Sequence, residues 1–387
     1  MTIVLTGGGS GGHITPLLAV AHELKKLQPD LYIVYIGQRG DSLADIPAEN
    51  PDIDEAYSVR AGKLRRYSGE GLKQLLDAPT VLKNIRDSGR VIVGLAEARR
   101  LLKKLKPDVI FIKGGFVGVP VGLAAAQLGI PYVTHDSDAI PGLANRIIGR
   151  WAAAHAVALP KGAYNYPLAK TYTVGVPINH EFQPVSPELQ AQYRQQLGLA
   201  QYERIIFVTG GGNGARQLNS IVVASAKALL EHDNSLAIVH LAGRAFTEET
   251  EALYEKELPA DLRSRIIIKS FITNLYCYSG SADVIIGRGS ATNLAEFALQ
   301  AKPCIIVPAR QLAWTVKNTE ALVKQGAIIA LNEDELLVNS APLVAACNEL
   351  LNSATERAQL GKKLSTSLAH PNSARELAEL LLRTKSD

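Results

Sequence analysis

The chain has 387 residues, 47% of them hydrophobic and 20% charged, a length that favours two domains and a balance that excludes wholesale disorder, collagen and coiled coil. Its 41 Lys/Arg and 37 Asp/Glu leave a net charge of +4, but thirteen Lys/Arg and only four Asp/Glu fall between Arg60 and Lys106, so the positive charge is local. Cys277, Cys304 and Cys347 are far apart and form no CxxC pair, which rules out a disulfide framework or a zinc knuckle and fits a reducing cytoplasm.

Taken in chain order, Met1 leads straight into Ile3-Val4-Leu5 without a basic n-region or cleavage site, which argues against a signal peptide. This short apolar strand meets Gly7-Gly8-Gly9-Ser10-Gly11-Gly12, and Leu17, Val20, Ala21 and Leu24 follow at helical spacing. Further strands are expected at 32–36, 109–112 and 132–134. The apolar stretch from Val117 to Val133 is broken by Pro120, Gln127 and Pro131 and falls short of a membrane span of about 20 residues. Ile206-Phe207-Val208, Gly210-Gly211-Gly212-Asn213-Gly214-Ala215 and the helical set Leu218, Ile221, Val222 and Leu229 then repeat the opening pattern. Strands at 236–241, 265–268, 284–286 and 304–307 complete the chain.

Strands alternating with helices imply an α/β protein with parallel sheets, and the repeated opening implies two Rossmann-like domains facing a cleft, with ligands at the carboxyl ends of the strands. Pro177, Pro184 and Pro187 mark the stretch 175–187 as the linker, giving domains 1–178 and 179–387, with the final helix free to pack back on the first. Glycine lets a backbone approach a phosphate, and a strand-to-helix turn aims free N–H groups at it. Gly7-x-Gly9-x-x-Gly12 and Gly210-x-Gly212-x-x-Ala215 fit that purpose, although tight strand–helix packing alone explains them as well. The second strands lead into Gly37-Gln38-Arg39 and Ala242-Gly243-Arg244 rather than an acid that would hold a ribose, and no GxxxxGK[ST] occurs. This counts against a dehydrogenase and a P-loop NTPase.

Several ordered motifs carry a more specific likeness: Gly8-Gly9-Ser10-Gly11-Gly12-His13-Ile14-Thr15-Pro16, Gly114-Gly115-Phe116-Val117, His135 followed by Pro141-Gly142-Leu143-Ala144-Asn145, the second glycine loop through Arg216, Phe271-Ile272, and Arg288-Gly289-Ser290-Ala291 to Glu296. Over nearly the whole chain this resembles the MurG-type glycosyltransferases, which add N-acetylglucosamine to the lipid-linked peptidoglycan precursor. The resemblance implies a GT-B fold, an acceptor-binding amino half and a UDP-sugar-binding carboxyl half. It further implies an inverting transfer from UDP-N-acetylglucosamine to the muramyl 4-hydroxyl of the undecaprenyl-linked muramyl-pentapeptide, without a metal or other cofactor. His13 is the implied base or acceptor contact. Ser10, Gly11, Gly12, Asp138, Asn179, Gly212, Ile272, Ala291, Thr292, Asn293, Leu294, Ala295, Glu296, Trp314 and Asn318 are the implied donor-binding residues, with Glu296 on the uridine ribose and Ile272 beside the uracil. Read by position alone, His13 serves equally as base, acceptor contact or loop lining. A helix amino terminus would lower its pKa.

The chain departs from the family pattern at identifiable places. Asp136-Ser137-Asp138 replaces Glu-Gln-Asn and imitates a DxD metal string, for which turn chemistry or solvation is the plainer reading. Val176-Pro177-Ile178-Asn179 loses an arginine, a charge that Arg310 could replace, and Trp314-Thr315 stands where a glutamine pair reads the donor sugar. The departures leave open a relative using another UDP-sugar or lipid acceptor, or a non-catalytic nucleotide-sugar scaffold. Lys63, Arg65, Arg66, Lys73, Lys83, Arg86 and Arg90 interleave with Leu64, Leu72, Leu75, Leu76, Val81, Leu82 and Ile85. That pattern suits an ordinary amphipathic helix or, given a lipid-linked acceptor, peripheral binding to an anionic membrane surface on its cytoplasmic face. Other cell-wall synthesis proteins are further implied partners. Nucleic acid is not, since recognition motifs are missing.

Overall fold

The computed structural model describes residues 1–62 and 78–385. The part of the basic and apolar run from Lys63 to Asp77 therefore lies outside the described residues. Two units divide the chain: Met1–Asn179 with His370–Asp387, and His180–Ala369.

The first unit is built on β1 (Thr2–Thr6), β2 (Tyr32–Gln38), β3 (Glu55–Val59), β4 (Val109–Ile112), β5 (Tyr132–Asp136), β6 (Ala154–Val157) and β7 (Thr171–Thr173), in the order β3-β2-β1-β4-β5-β6-β7. The second is built on β8 (Arg204–Thr209), β9 (Leu236–Leu241), β10 (Ile266–Lys269), β11 (Val284–Gly287), β12 (Cys304–Ile306) and β13 (Ile329–Ala330), in the order β10-β9-β8-β11-β12-β13. Every ladder is parallel. Parallel sheets need cover on both faces, and the central strands are accordingly buried along their whole length rather than at alternate residues.

In the first unit the helix Gly11–Leu27 lays Leu17, Val20, Ala21 and Leu24 on Ile3, Leu5, Ile33 and Phe111. The closing helix Ser373–Arg383 adds Leu377, Ala378, Leu380 and Leu381 to the same cluster, and Ser373 Oγ donates to the Val176 carbonyl at 2.6 Å. Burying one leucine contributes about 1.5–3 kcal/mol, so three leucines hold this helix far more firmly than the hydrogen bond does. The second unit accordingly ends at Ala369, and the final helix belongs with the first.

Four strands escape the sequence pattern: β3, β6, β7 and β13. Two of them are short, Thr171–Thr173 and Ile329–Ala330, while Ala154-His155-Ala156-Val157 has little β-branched character and Glu55–Val59 is a half-exposed edge. Sheet neighbours impose these strands, not local propensity. Among the described residues no helix is long and apolar enough to cross a membrane.

Candidate active site

In each sheet the strand order reverses direction once, between β1 and β4 and between β8 and β11. The loops that leave two such strands diverge and open a crevice beyond their carboxyl ends. Both glycine loops start there.

In the first unit, Tyr35 Oη donates to the Gly7 carbonyl at 2.6 Å and Gly9 N–H donates to Asp41 Oδ2 at 2.7 Å, so β2 and the turn after it hold the loop open. The turn after β4 closes on it. Gly115 has φ +79°, and a Cβ there would fall 2.7 Å from the Gly8 carbonyl oxygen, a contact only glycine permits. Ser10 stands at the N-cap of Gly11–Leu27, but its hydroxyl does not cap the helix; Oγ lies 3.0 Å from His13 Nδ1. His13 thus sits in the first helical turn with its ring against the Gly114-Gly115 turn.

Burial, then the Lys113 ammonium, push the His13 imidazole down from 6.5 to about 4, against the Gly8 carbonyl and the Asp41 carboxylate, which favour the proton. The low value comes from burial and Lys113, where sequence alone pointed to the helix terminus. Lys113 is itself buried and pushed down to about 8, opposed first by Asp138 and then by Asp136. Its Nζ donates to Ser137 Oγ at 2.9 Å.

The string Asp136-Ser137-Asp138 therefore faces a buried ammonium. Asp136 is no loop residue: it ends β5, is 4% exposed, and accepts from Gly142 N–H at 2.9 Å and Tyr166 Oη at 2.7 Å. Among the described residues no group of three or more His, Cys, Asp or Glu could hold a metal ion. His135 and Asn145 brace the site from beneath, since Asn145 Nδ2 donates to the His135 carbonyl at 2.8 Å and His135 Nε2 lies 2.8 Å from the Gly175 carbonyl. Asn179 is the last residue of the first stretch of this unit.

In the second unit the loop after β8 is held backbone to backbone. A Cβ on Gly243 would fall 2.1 Å from Gly214 Cα, and both glycines have positive φ. The helix Arg216–His232 that follows has Ala215 at its N-cap and no side-chain cap, leaving first-turn N–H groups for an anion. Past β11, the helix Ala291–Leu299 presents Asn293, whose Nδ2 donates to Glu296 Oε2 at 2.8 Å. Glu296 is 4% exposed, and burial pushes its carboxyl up to about 8 despite that bond. Asn318 Nδ2 braces the preceding turn by donating to the Gly289 carbonyl at 3.1 Å.

These placements bring Gly212, Asn293, Glu296 and Asn318 to the ends of β8 and β11, while Ile272 follows β10 and Trp314 opens the helix Ala313–Lys324 after β12. The Leu294 side chain is in the core with Phe297 and Ala298, and Ala291, Thr292 and Ala295 are buried too, so this helix is covered nearly all round. Thr315 is also structural, donating from Oγ1 to the carbonyls of Ala309 at 3.1 Å and Leu312 at 2.8 Å. Arg310, offered as a replacement for the lost arginine, is ion-paired with Asp334 at the surface. Lys113 and Asp41 around the first loop went unread in the sequence; only their positions one and three residues after strands could have flagged them.

Residues 3–157 match the glycosyltransferase family 28 N-terminal domain and residues 205–379 its C-terminal domain. A UDP-N-acetylglucosamine–N-acetylmuramyl-(pentapeptide) pyrophosphoryl-undecaprenol N-acetylglucosamine transferase from Moorella thermoacetica is 29% identical over 388 residues, covering 99% of each chain. A Bacillus thuringiensis transferase of the same description is 28% identical over 384 residues, 98% of each. The crystal structure of Acinetobacter baumannii MurG superposes with a TM-score of 0.69 at 24% identity, over 99% of both chains, and shares the GT-B fold.

Proposed function

The chain belongs to glycosyltransferase family 28, and from that premise we propose that it transfers N-acetylglucosamine from UDP to the 4-hydroxyl of the muramyl unit of an undecaprenyl-pyrophosphoryl muramyl-pentapeptide. The observation that carries this reading is the full-length alignment with transferases of that description. In the proposed reaction the acceptor oxygen attacks the anomeric carbon from the face opposite UDP and gives its proton to His13. The bond from that carbon to the β-phosphate oxygen breaks, and its electron pair leaves with UDP. A base must be unprotonated to begin, and an imidazole held near 4 is neutral throughout the physiological range.

On the donor side, the uncapped helix behind Gly210–Ala215 suits the diphosphate, Ile272 the uracil, and Glu296 the ribose diol. A carboxylate accepts from two hydroxyls at once, whereas the protonated form does so less well. The first unit takes the acceptor, with Ser10, Gly11, Gly12, Asp138 and Asn179 assigned to donor oxygens by the family likeness. No metal ion takes part in this scheme, so turnover is expected to survive EDTA. The acceptor's lipid places the enzyme at the cytoplasmic membrane face, where an anionic surface would attract the basic segment.

A second reading is favoured by the turn before Asn318. Thr315 spends its hydroxyl on the backbone and Trp314 is exposed, so this turn offers an aromatic face to a sugar rather than a pair of amides. A different UDP-sugar is the consequence. Transfer of labelled N-acetylglucosamine to the lipid-linked acceptor, run beside a panel of UDP-sugars and with His13→Ala and Glu296→Ala, decides. Product from UDP-N-acetylglucosamine, lost in both variants, supports the main reading. Turnover of another sugar alone supports the second, and UDP binding without turnover of any sugar supports a scaffold.

A further inference from the structure

Four arginines follow strands of the second sheet: Arg216 after β8, Arg244 after β9, Arg288 after β11 and Arg310 after β12. Three are answered by carboxylates. Arg216 Nη2 lies 3.0 Å from Glu249 Oε2, Arg288 is paired with buried Glu333, and Arg310 with Asp334. Arg244 is different. Among the described residues its guanidinium has no hydrogen bond or ion pair; it sits over the Phe271 ring, 3.9 Å from the centroid. Phe271 in turn abuts the glycine loop, where a Cβ on Gly212 would lie 3.6 Å from Phe271 Cε2. The Arg244 backbone N–H donates to the Gly212 carbonyl at 3.3 Å, which ties the residue to that loop a second time.

Stacking on an aromatic face fixes a guanidinium without consuming any of its N–H donors. The result is an exposed, positioned fork of donors beside the loop and uncapped helix that suit an anion, in a half-site whose other three arginines each have a carboxylate partner. We propose that Arg244 binds the diphosphate of the nucleotide donor and, as the sugar departs, stabilises the charge that develops on it. A planar cation that meets two phosphate oxygens together is the fitting group for that task. This rests on the UDP-sugar reading above.

The test compares binding of UDP, by calorimetry, with binding of uridine, by ligand-observed NMR, in the wild type, Arg244→Ala and Arg244→Lys. Loss of a charge-assisted phosphate contact is expected to weaken UDP by about tenfold or more in Arg244→Ala and to leave uridine within about twofold, with Arg244→Lys between the two. Equal weakening of UDP and uridine would overturn the inference, because it would make Arg244 a prop for Phe271. Unchanged UDP affinity would overturn it too. A wild type that binds no UDP would instead sink the donor reading, and this inference with it.

Discussion

The two glycine loops share a local plan of strand, loop and helix at a reversal of strand order, yet they are finished in opposite ways. The first is propped by side chains, Tyr35 on Gly7 and Asp41 on Gly9, and it carries a titratable group, His13, pressed against Gly114-Gly115 with Lys113 nearby. The second is propped by backbone, Gly214 against Gly243, and places no titratable side chain within the loop itself. Its ionisable side chains stand around it, on Arg216, Arg244 and Glu296. A loop whose task is proton transfer needs a tuned side chain, while one that cradles an anion needs N–H groups and close approach. In the proposed function one motif thus serves two chemistries, and the surroundings decide which.

The largest test of that contrast is His13→Ala. Removing a general base is expected to lower kcat by about 10²–10⁴ while UDP affinity, measured by calorimetry, stays as in the wild type. Retained turnover would make His13 a lining residue and erase the difference between the loops.

Next in size is a pair of glycine substitutions read by urea unfolding. Gly243→Ala drives a methyl into the Gly214 backbone at positive φ and is expected to cost about 3 kcal/mol or more. At Gly9, where φ is +80° and the nearest atoms are 3.9 Å away, alanine should cost only the backbone term, about 1–2 kcal/mol. Equal losses would mean that the first loop is as tightly closed as the second.

A smaller effect concerns Glu296. In the free protein its carboxyl is held near 8, against about 4.5 in the unfolded chain, so it binds a proton at neutral pH that unfolding would release. Its contribution to stability is present below pH 4.5 and is lost as pH rises through 8. A ribose diol that favours the carboxylate should then bind UDP more tightly as pH rises from 7 to 9, by roughly tenfold at most. Glu296→Gln should flatten that dependence, and a slope that persists in the variant would move the titration elsewhere.

The smallest concerns Lys113→Met, which removes the ammonium that helps hold the His13 imidazole neutral. The acid limb of kcat/KM is expected to move up from about 4 towards 6.5, with little change at pH 8. In stability the imidazole has the opposite sign to Glu296. The folded ring protonates only near 4 while the unfolded one does so near 6.5, so stability is lost as pH falls through that window. A limb that stays in place in Lys113→Met would assign the low value to burial alone.

Much of the fold was legible because parallel α/β architecture writes itself in apolar strands and helical repeats; β1, β2, β4, β8, β9 and β11 and the helices after both loops could be read directly. Strands such as β7 and β13 could not, since two or three residues carry no period and are strands only because a neighbour pairs with them. For the site, motif order pointed to His13, Glu296 and Leu294 alike, but that the Leu294 side chain packs into the core depends on where the sheet lies. It also read Asp136 as loop, where pairing with β6 makes it strand.

By itself, then, the sequence determined two parallel-sheet units, two glycine loops at the ends of strands, and the family to which they belong. Tertiary structure alone decided that a lysine a hundred residues from His13 faces it across the strand reversal and that Asp136 and Asp138 answer that lysine. It alone set Arg244 on Phe271 and returned the last helix to the first core. The physical reason is common to all of these: a charge's effect and a side chain's burial depend on what lies a few ångströms away, and in a parallel sheet those neighbours come from distant parts of the chain.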